Sequence, residues 1–407
     1  MQIRHLAGLT RRGNGVFIST LLAVGFAHAQ QPGLGAGVVP RFENVTATNL
    51  PAGILQTRSM DARPADIDAD GDLDLVIATE FGPNYILLND GHGVFTNGSP
   101  ALLPQPQPVH DSEDVAIADF NMDGHLDILF VAEDDQINEL YYWDADAGKF
   151  ELVTGLLGVS GVSNACLAAD IDDDGDPDIL IGNAGFEVVL INNGDGTFEN
   201  ESAIRMALVN DITQDLELGD VDGDGDLDLV IGNESNNRLL INDGRGFFTD
   251  ESAARLGPMT PGKEMTREAD LADVDGDGDL DLLFANAIFA QGNDPQDRLL
   301  LNDGDGFFTD VTSEQLAPDS KNTIDGDFID MDADGDLDIV QCSFNSGGVD
   351  VLQNDGTGHF VRRTPIYLPL LAQSIMDAEG ADFNGDGVLD IYLCHYLSKD
   401  QLFFGTR

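Results

Sequence analysis

A nine-residue acidic run, DVDGDGDLD, spans Asp220 to Asp228 and returns letter for letter from Asp273 to Asp281. Close variants start at Asp66, Asp119, Asp170, Asp330 and Asp382, so seven runs follow one another at spacings of 53, 51, 50, 53, 57 and 52 residues. A fixed period of this length marks a propeller or an array, and it constrains the fold more than local propensity does. Five aspartates in nine residues repel one another and cannot be buried unless something positive neutralises them.

Each run leads into a short apolar segment, such as LDLVIA from Leu73 or LDLLFA from Leu280. A second apolar segment then ends in a turn, as in ILLNDGHGVF from Ile86, LLINDGRGFF from Leu239 and LLLNDGDGFF from Leu299. Asn-Asp-Gly suits a tight hairpin because Gly accepts positive φ without strain. Another strand opens at the Phe, and a variable loop leads to the strand before the next run. Four short strands per period and no convincing helix predict an all-β fold, a seven-bladed β-propeller of four-stranded blades. The seventh repeat stops at Gln401-Leu402-Phe403-Phe404-Gly405, one strand short, while Arg41-Phe42-Glu43-Asn44-Val45-Thr46 resembles the fourth strand Phe308-Thr309-Asp310-Val311-Thr312. The N-terminal strand is therefore expected to complete the last blade and close the ring.

Positions 1, 3, 5, 7 and 9 of each run are the candidate metal ligands. They are Asp66, Asp68, Asp70, Asp72 and Asp74 in the first run, and Asp119, Asn121, Asp123, His125 and Asp127 in the second. The third has Asp170, Asp172, Asp174, Asp176 and Asp178, and the fourth Asp220, Asp222, Asp224, Asp226 and Asp228. The fifth has Asp273, Asp275, Asp277, Asp279 and Asp281, the sixth Asp330, Asp332, Asp334, Asp336 and Asp338, and the seventh Asp382, Asn384, Asp386, Val388 and Asp390. Asn at position 3 still offers a carbonyl oxygen. Because position 7 admits His125 and Val388, it must act through its backbone carbonyl, as position 7 of calcium loops does. Position 6 is Gly throughout, and apolar positions 2 and 8 can pin the loop to the core. Hard oxygen ligands on a flexible loop suit Ca²⁺, up to seven per chain, better than Mg²⁺. An EF-hand needs Glu at position 12, where this chain has Ile77, Phe130, Ile181, Ile231, Phe284, Gln341 and Leu393.

On the runs D-x-[DN]-x-D-G-x-[LP]-D and the turns N-[DN]-G-x-G-x-F, the chain from residue 41 to 407 resembles the FG-GAP or VCBS repeat family, best known from the propeller of integrin α chains. The second repeat departs at its turn, Trp143-Asp144-Ala145-Asp146-Ala147-Gly148, and the seventh lacks its turn. The resemblance implies a calcium-binding propeller whose functions range over adhesion, carbohydrate binding and, with added residues, polysaccharide cleavage.

The N-terminus carries Arg4, Arg11 and Arg12, an apolar stretch from Val16 to Phe26 and then Ala27-His28-Ala29. That order predicts a secretory signal over residues 1–29, a short linker over 30–39 and the propeller over 40–407. The apolar stretch is shorter than the ~20 residues of a spanning helix, so no membrane span is expected after cleavage. The expected destination is the periplasm or the outside of the cell. The formal charge of −55 makes nucleic acid and anionic membranes poor partners, and 42% hydrophobic residues argue for a globular chain, expected to be a monomer. Cys166, Cys342 and Cys394 are expected to be small buried residues without a disulfide.

A partner site is sought beside the channel, at the starts of the first strands. Five residues before each run stand Asp61, Asp114, Ala165, Asp215, Glu268, Asp325 and Asp377. Three before the last four stand Glu217, Asp270, Asp327 and Glu379. Residues two apart on a strand share a side, so these acids are expected to ring one mouth of the channel. Asp325, Asp327, Asp377 and Glu379 are the candidates for a cation or cationic ligand. The competing reading has them capping backbone groups or facing water. The expected function is a binding or adhesion module for a protein or carbohydrate, not an enzyme. A lyase would need a converging base and cations, for which Arg58, Arg63, Lys263 and Arg267 are the loop candidates, without a nucleophile or His pair of recognisable spacing. A purely structural surface component is the third reading. Tyr141-Tyr142-Trp143 offers a sugar platform, against the commoner reading of aromatic strand residues as core.

Overall fold

A computed structural model describes residues 41–52, 57–154, 159, 161–257, 264–289, 292–345 and 347–406; the expected signal and linker lie outside them. The period of the sequence becomes a period of strands. In the fourth repeat Asp211–Gly219, Asp228–Asn233, Arg238–Asn242 and Phe248–Asp250 pair antiparallel in chain order. The other first strands are Thr57–Ala65, Ser112–Ala118, Ser163–Ala169, Thr266–Ala272, Asn322–Ile329 and Ile375–Ala381. Each opens an antiparallel unit of four strands, so the described residues form seven such blades. Consecutive first strands lie against one another, and the seventh lies against the first, which closes the ring around an axial channel.

Among the described residues seven apolar clusters hold the ring, one at each seam. The cluster of Leu180, Val189, Leu216, Leu229 and Ile231 joins blades three and four. Leu75, Ile77, Phe383, Tyr392 and Leu402 join blade seven to blade one. Second strands such as Asp74–Thr79 are buried along their whole length because blades pack on both of their faces.

The last blade is completed as expected. Arg41–Asn44 pairs with Gln401–Thr406, from Arg41 opposite Thr406 to Asn44 opposite Phe403. A second observation agrees. Fourth strands are followed by one-turn helices that the sequence reading did not expect, such as Ser202–Arg205, Ser252–Arg255 and Thr312–Gln315. Their leading hydroxyl accepts a third-strand amide of the same blade: Val189 to Ser202, Leu239 to Ser252 and Leu299 to Thr312. Thr46 does the same for the amide of Leu402 at 2.9 Å, so the N-terminal segment occupies the fourth-strand place of blade seven.

The three cysteines are buried and free. No helix among the described residues is long and apolar enough to cross a membrane.

Candidate functional site

The antiparallel order puts every acidic run, between first and second strands, on one face of the ring, beside the turns between third and fourth strands. One lattice of hydrogen bonds shapes all seven loops. The position-1 carboxylate accepts the amide of the position-6 Gly at 2.7–3.1 Å. The position-5 carboxylate accepts the amide of position 7 at 2.9–3.1 Å. Position 9 is buried and double-bonded: one oxygen takes the amide of position 2 at 3.0–3.2 Å and the other an amide of the neighbouring turn at 2.8–3.0 Å. Burial pushes that carboxyl up to about 7 in Asp74, Asp127, Asp178, Asp228, Asp281 and Asp390, and to about 8 in Asp338.

Two backbone demands explain the loop sequence. Position 6 has φ between 78° and 101°, and Gly meets it everywhere. Position 4 is also left-handed, at Ala69, Met122, Asp173 and Ala333 as well as at three glycines, a demand the sequence did not reveal. Position 2 is buried in every loop; position 8 is less so, with Leu73 36% exposed, yet Leu126, Leu227, Leu280, Leu337 and Leu389 pack against the apolar clusters and pin their loops as expected. The turn glycine answers to position 7, since a Cβ on Gly91 would lie 2.6 Å from the Asp72 carboxylate.

The loop donors suit a hard cation. Carboxylate oxygens of Asp170, Asp172 and Asp178 lie within 4.8 Å of one another, as do those of Asp220, Asp222 and Asp228, and of Asp66, Asp68 and Asp70. Asp172 Oδ1, Asp220 Oδ1 and Asp222 Oδ1 are buried without a hydrogen-bond partner. Buried anionic oxygens left unpaired are costly, and a cation in the loop would satisfy them.

The channel gathers the acids expected there. Asp61, Asp114, Asp215, Glu268, Asp325 and Asp377 line it with Glu217, Asp270, Asp327 and Glu379. Part of their work is structural. First strands face the axis with unpaired backbone, and Asp377 accepts the amide of Ala62 at 3.1 Å, Asp61 that of Val115 at 3.2 Å and Asp114 that of Cys166 at 2.7 Å. Arg63 projects among the acids, 3.3 Å from Asp61, 3.6 Å from Asp114 and 3.3 Å from Glu379. Burial raises Asp325, Asp327 and Glu379 well above the usual carboxylate range, and neighbouring carboxylates add to the shift. Arg58 and Arg63 lie on the strand Thr57–Ala65 and Arg267 on Thr266–Ala272, not in loops as expected, while Lys263 falls outside the described residues.

The channel mouth opposite the acidic loops carries planar side chains from blades five, six, seven and one. Arg267 lies 5.0 Å from the Phe289 ring, Phe289 is 5.9 Å from Phe344, and Phe344 is 5.5 Å from Tyr396. Arg58 then sits 5.6 Å from Tyr396 and 5.5 Å from Phe81. Phe81 is 50% and Phe289 45% exposed. Glu80 bonds Arg58 at 3.0 Å and Glu234 lies 3.4 Å from Arg267, so carboxylates border the arc.

The sequence matches the FG-GAP-like repeat over residues 66–130, 123–181, 170–231, 220–284, 273–341 and 330–393. The chain belongs to the FG-GAP-like repeat family. No curated relative matches it. Among solved structures, a lectin from Agrocybe aegerita, studied for its recognition of non-reducing terminal N-acetylglucosamine, is 18% identical with a TM-score of 0.50, over 93% of this chain and 97% of the lectin. BBS1N, solved with ARL6DN, is 12% identical with a TM-score of 0.50, over 91% of this chain and 98% of its own. The extracellular domain of a hybrid two-component system from B. thetaiotaomicron is 10% identical with a TM-score of 0.51, over 89% of this chain and 39% of that one. These likenesses show the fold.

Within this FG-GAP-like repeat frame, several functional groups escaped the sequence reading. Arg205 bonds Asp172 at 3.1 Å and Glu201 at 2.7 Å, reaches the carbonyl of Arg245, and lies 4.7 Å from the Phe247 ring. Arg255 repeats this on Asp222, Glu251, Asp305 and Phe307. Each clasps position 3 of its own blade's loop to the turn of the next blade. The signal was present as Glu201-Ser202-Ala203-Ile204-Arg205 and Glu251-Ser252-Ala253-Ala254-Arg255. Each cysteine lies behind a channel aspartate, Cys166 at Asp114, Cys342 at Asp325 and Cys394 at Asp377, and burial raises all three thiols, which makes them poor nucleophiles. Tyr141 is buried, the Tyr142 hydroxyl donates to the carbonyl of Gly196, and Trp143 packs on Phe150, so the considered sugar platform is occupied by packing.

Proposed function

We propose that this FG-GAP-like repeat protein is an exported, calcium-stiffened binding module that takes a carbohydrate at the aromatic mouth of its channel. In each loop the side chains at positions 1, 3, 5 and 9 and the carbonyl of position 7 hold calcium, which neutralises the clustered carboxylates and fixes the loops. The unpaired buried oxygens of Asp172, Asp220 and Asp222 support that part of the reading. The charged, apolar and A-x-A order of residues 1–29 supports export.

The observation that carries the ligand class is the arc from Arg267 through Phe289, Phe344 and Tyr396 to Arg58. A sugar offers apolar C–H faces to rings and hydroxyls to charged neighbours, and this arc supplies both at an exposed rim. The fold it shares with a lectin points the same way.

A glycan array probed with the intact chain in calcium and in chelator tests the reading. Binding in calcium should weaken about tenfold, on the order of 1.4 kcal/mol, in Phe289→Ala and Tyr396→Ala without a change in fold. Undiminished binding by both variants would move the site elsewhere, and no glycan bound under either condition would remove the carbohydrate reading.

A further inference from the structure

The channel aspartates are not equivalent. Five residues before their runs, Asp61, Asp114, Asp215 and Asp377 each accept a backbone amide from the following blade, at 3.2, 2.7, 2.9 and 3.1 Å. Asp325 holds the same place in blade six. It is 5% exposed, its Oδ2 has no hydrogen-bond partner, and it lines the channel cavity together with Asp327, Glu268 and Asp377. Nearby, Asp377 and Glu379 bring carboxylate oxygens within 4.8 Å of each other and of Asp61.

The surrounding charge is one-sided. Eleven carboxylates line the channel, and the guanidiniums set among them are those of Arg63 and Arg267. Two positive charges cannot balance this set, so the remaining carboxylates must hold protons or a cation.

We propose that the channel binds one hard divalent cation, of the calcium and magnesium class, through Asp325 Oδ2 and the carboxylates of Asp327, Asp377 and Glu379. All donors are oxygens, which select hard cations over thiophilic ones. The site is distinct from the seven loops and does not depend on their occupancy. Its place in the channel, between blades six and seven, would let a single ion draw together the part of the ring where Asp325 makes no amide bond across the seam.

Crystals of the intact chain grown with MnCl₂, with an anomalous difference map at the manganese edge, test the site. The expected result is a channel peak at Asp325 that vanishes in Asp325→Asn/Asp327→Asn while loop peaks persist, with one ion fewer per chain in equilibrium dialysis. Should the double variant fail to fold, Asp327→Asn alone, at a half-buried position, should lower channel affinity at least tenfold. Filled loops with no channel peak would overturn the proposal, as would unchanged stoichiometry in a folded double variant. A channel peak without loop peaks would uphold it and overturn the loop reading instead.

Discussion

The side-chain amide of Asn242 donates to the carbonyl oxygen of Ile171 at 2.9 Å, and so ties a turn of blade four to the acidic loop of blade three. The same Asn gives its backbone amide to Asp228 and accepts the amide of Gly246 at its Oδ1. Equivalent bonds run from Asn89 to Phe383, Asn192 to Phe120, Asn302 to Val221 and Asn354 to Val274. Five of the seven acidic loops are thus fastened at their second residue to the next blade.

Asn242→Ala should leave the Ile171 carbonyl unpaired at a buried seam and cost about 1–3 kcal/mol. Urea denaturation of the variant beside the parent chain measures this directly. Stability equal to the parent would mean that the bond contributes nothing to the ring.

The lock is missing where the turn departs from its pattern. Trp143 replaces Asn in blade two, and Gly405 in blade seven. The seam between blades six and seven also lacks the channel lock, because Asp325 Oδ2 has no partner. Hydrogen exchange should therefore be faster around Met331 and Ile375–Ala381 than around Val221 and Thr266–Ala272. Uniform protection at all seven seams would contradict this ranking.

Closure rests on Thr46, which accepts the amide of Leu402 at 2.9 Å from a buried position. Thr46→Val keeps the shape and removes the acceptor, and should cost about 1–3 kcal/mol. A melting temperature unchanged by this substitution would show that the N-terminal strand does not hold the last blade.

Much of this was legible in the sequence because it repeats. The spacing of the runs fixed the blades, and the likeness of Phe42-Glu43-Asn44-Val45-Thr46 to Phe308-Thr309-Asp310-Val311-Thr312 located the closing strand. The channel acids were found by their constant distance from the runs. Asn242 was visible only as a turn residue, since its partner lies 71 residues earlier and the bond exists only once blades pack. In the arc Phe344 and Tyr396 share one offset, 14 residues after the start of their runs, but Phe289 and Arg58 stand at others, so no period of the sequence announces the whole set. Its members become neighbours only through ring closure.

Acid should stabilise the metal-free chain. The position-9 carboxyls titrate at about 7 to 8 when folded, above their ordinary value near 3.8. Between those limits the folded chain binds more protons than the unfolded one, so stability falls as pH rises through this window. In chelator the melting temperature should be higher at pH 5 than at pH 8. Saturating calcium favours the ionised carboxylates and should reverse the order. A metal-free chain that melts higher at pH 8 would contradict the burial of these groups.

The central claim is that calcium is a folding ligand of the ring. Positions 1, 3, 5 and 9 place four carboxylates in each of five loops and three in each of two, 26 negative charges that seven calcium ions would more than half neutralise. Binding to the folded loops and hardly to the unfolded chain stabilises by mass action. The deciding measurement is the melting temperature at neutral pH in millimolar calcium and in excess chelator, for the parent chain and for Asp224→Ala. The expected result is a marked fall in chelator for both, with the variant binding one calcium fewer. Identical melting with and without calcium would mean that the seven runs are solvated turns.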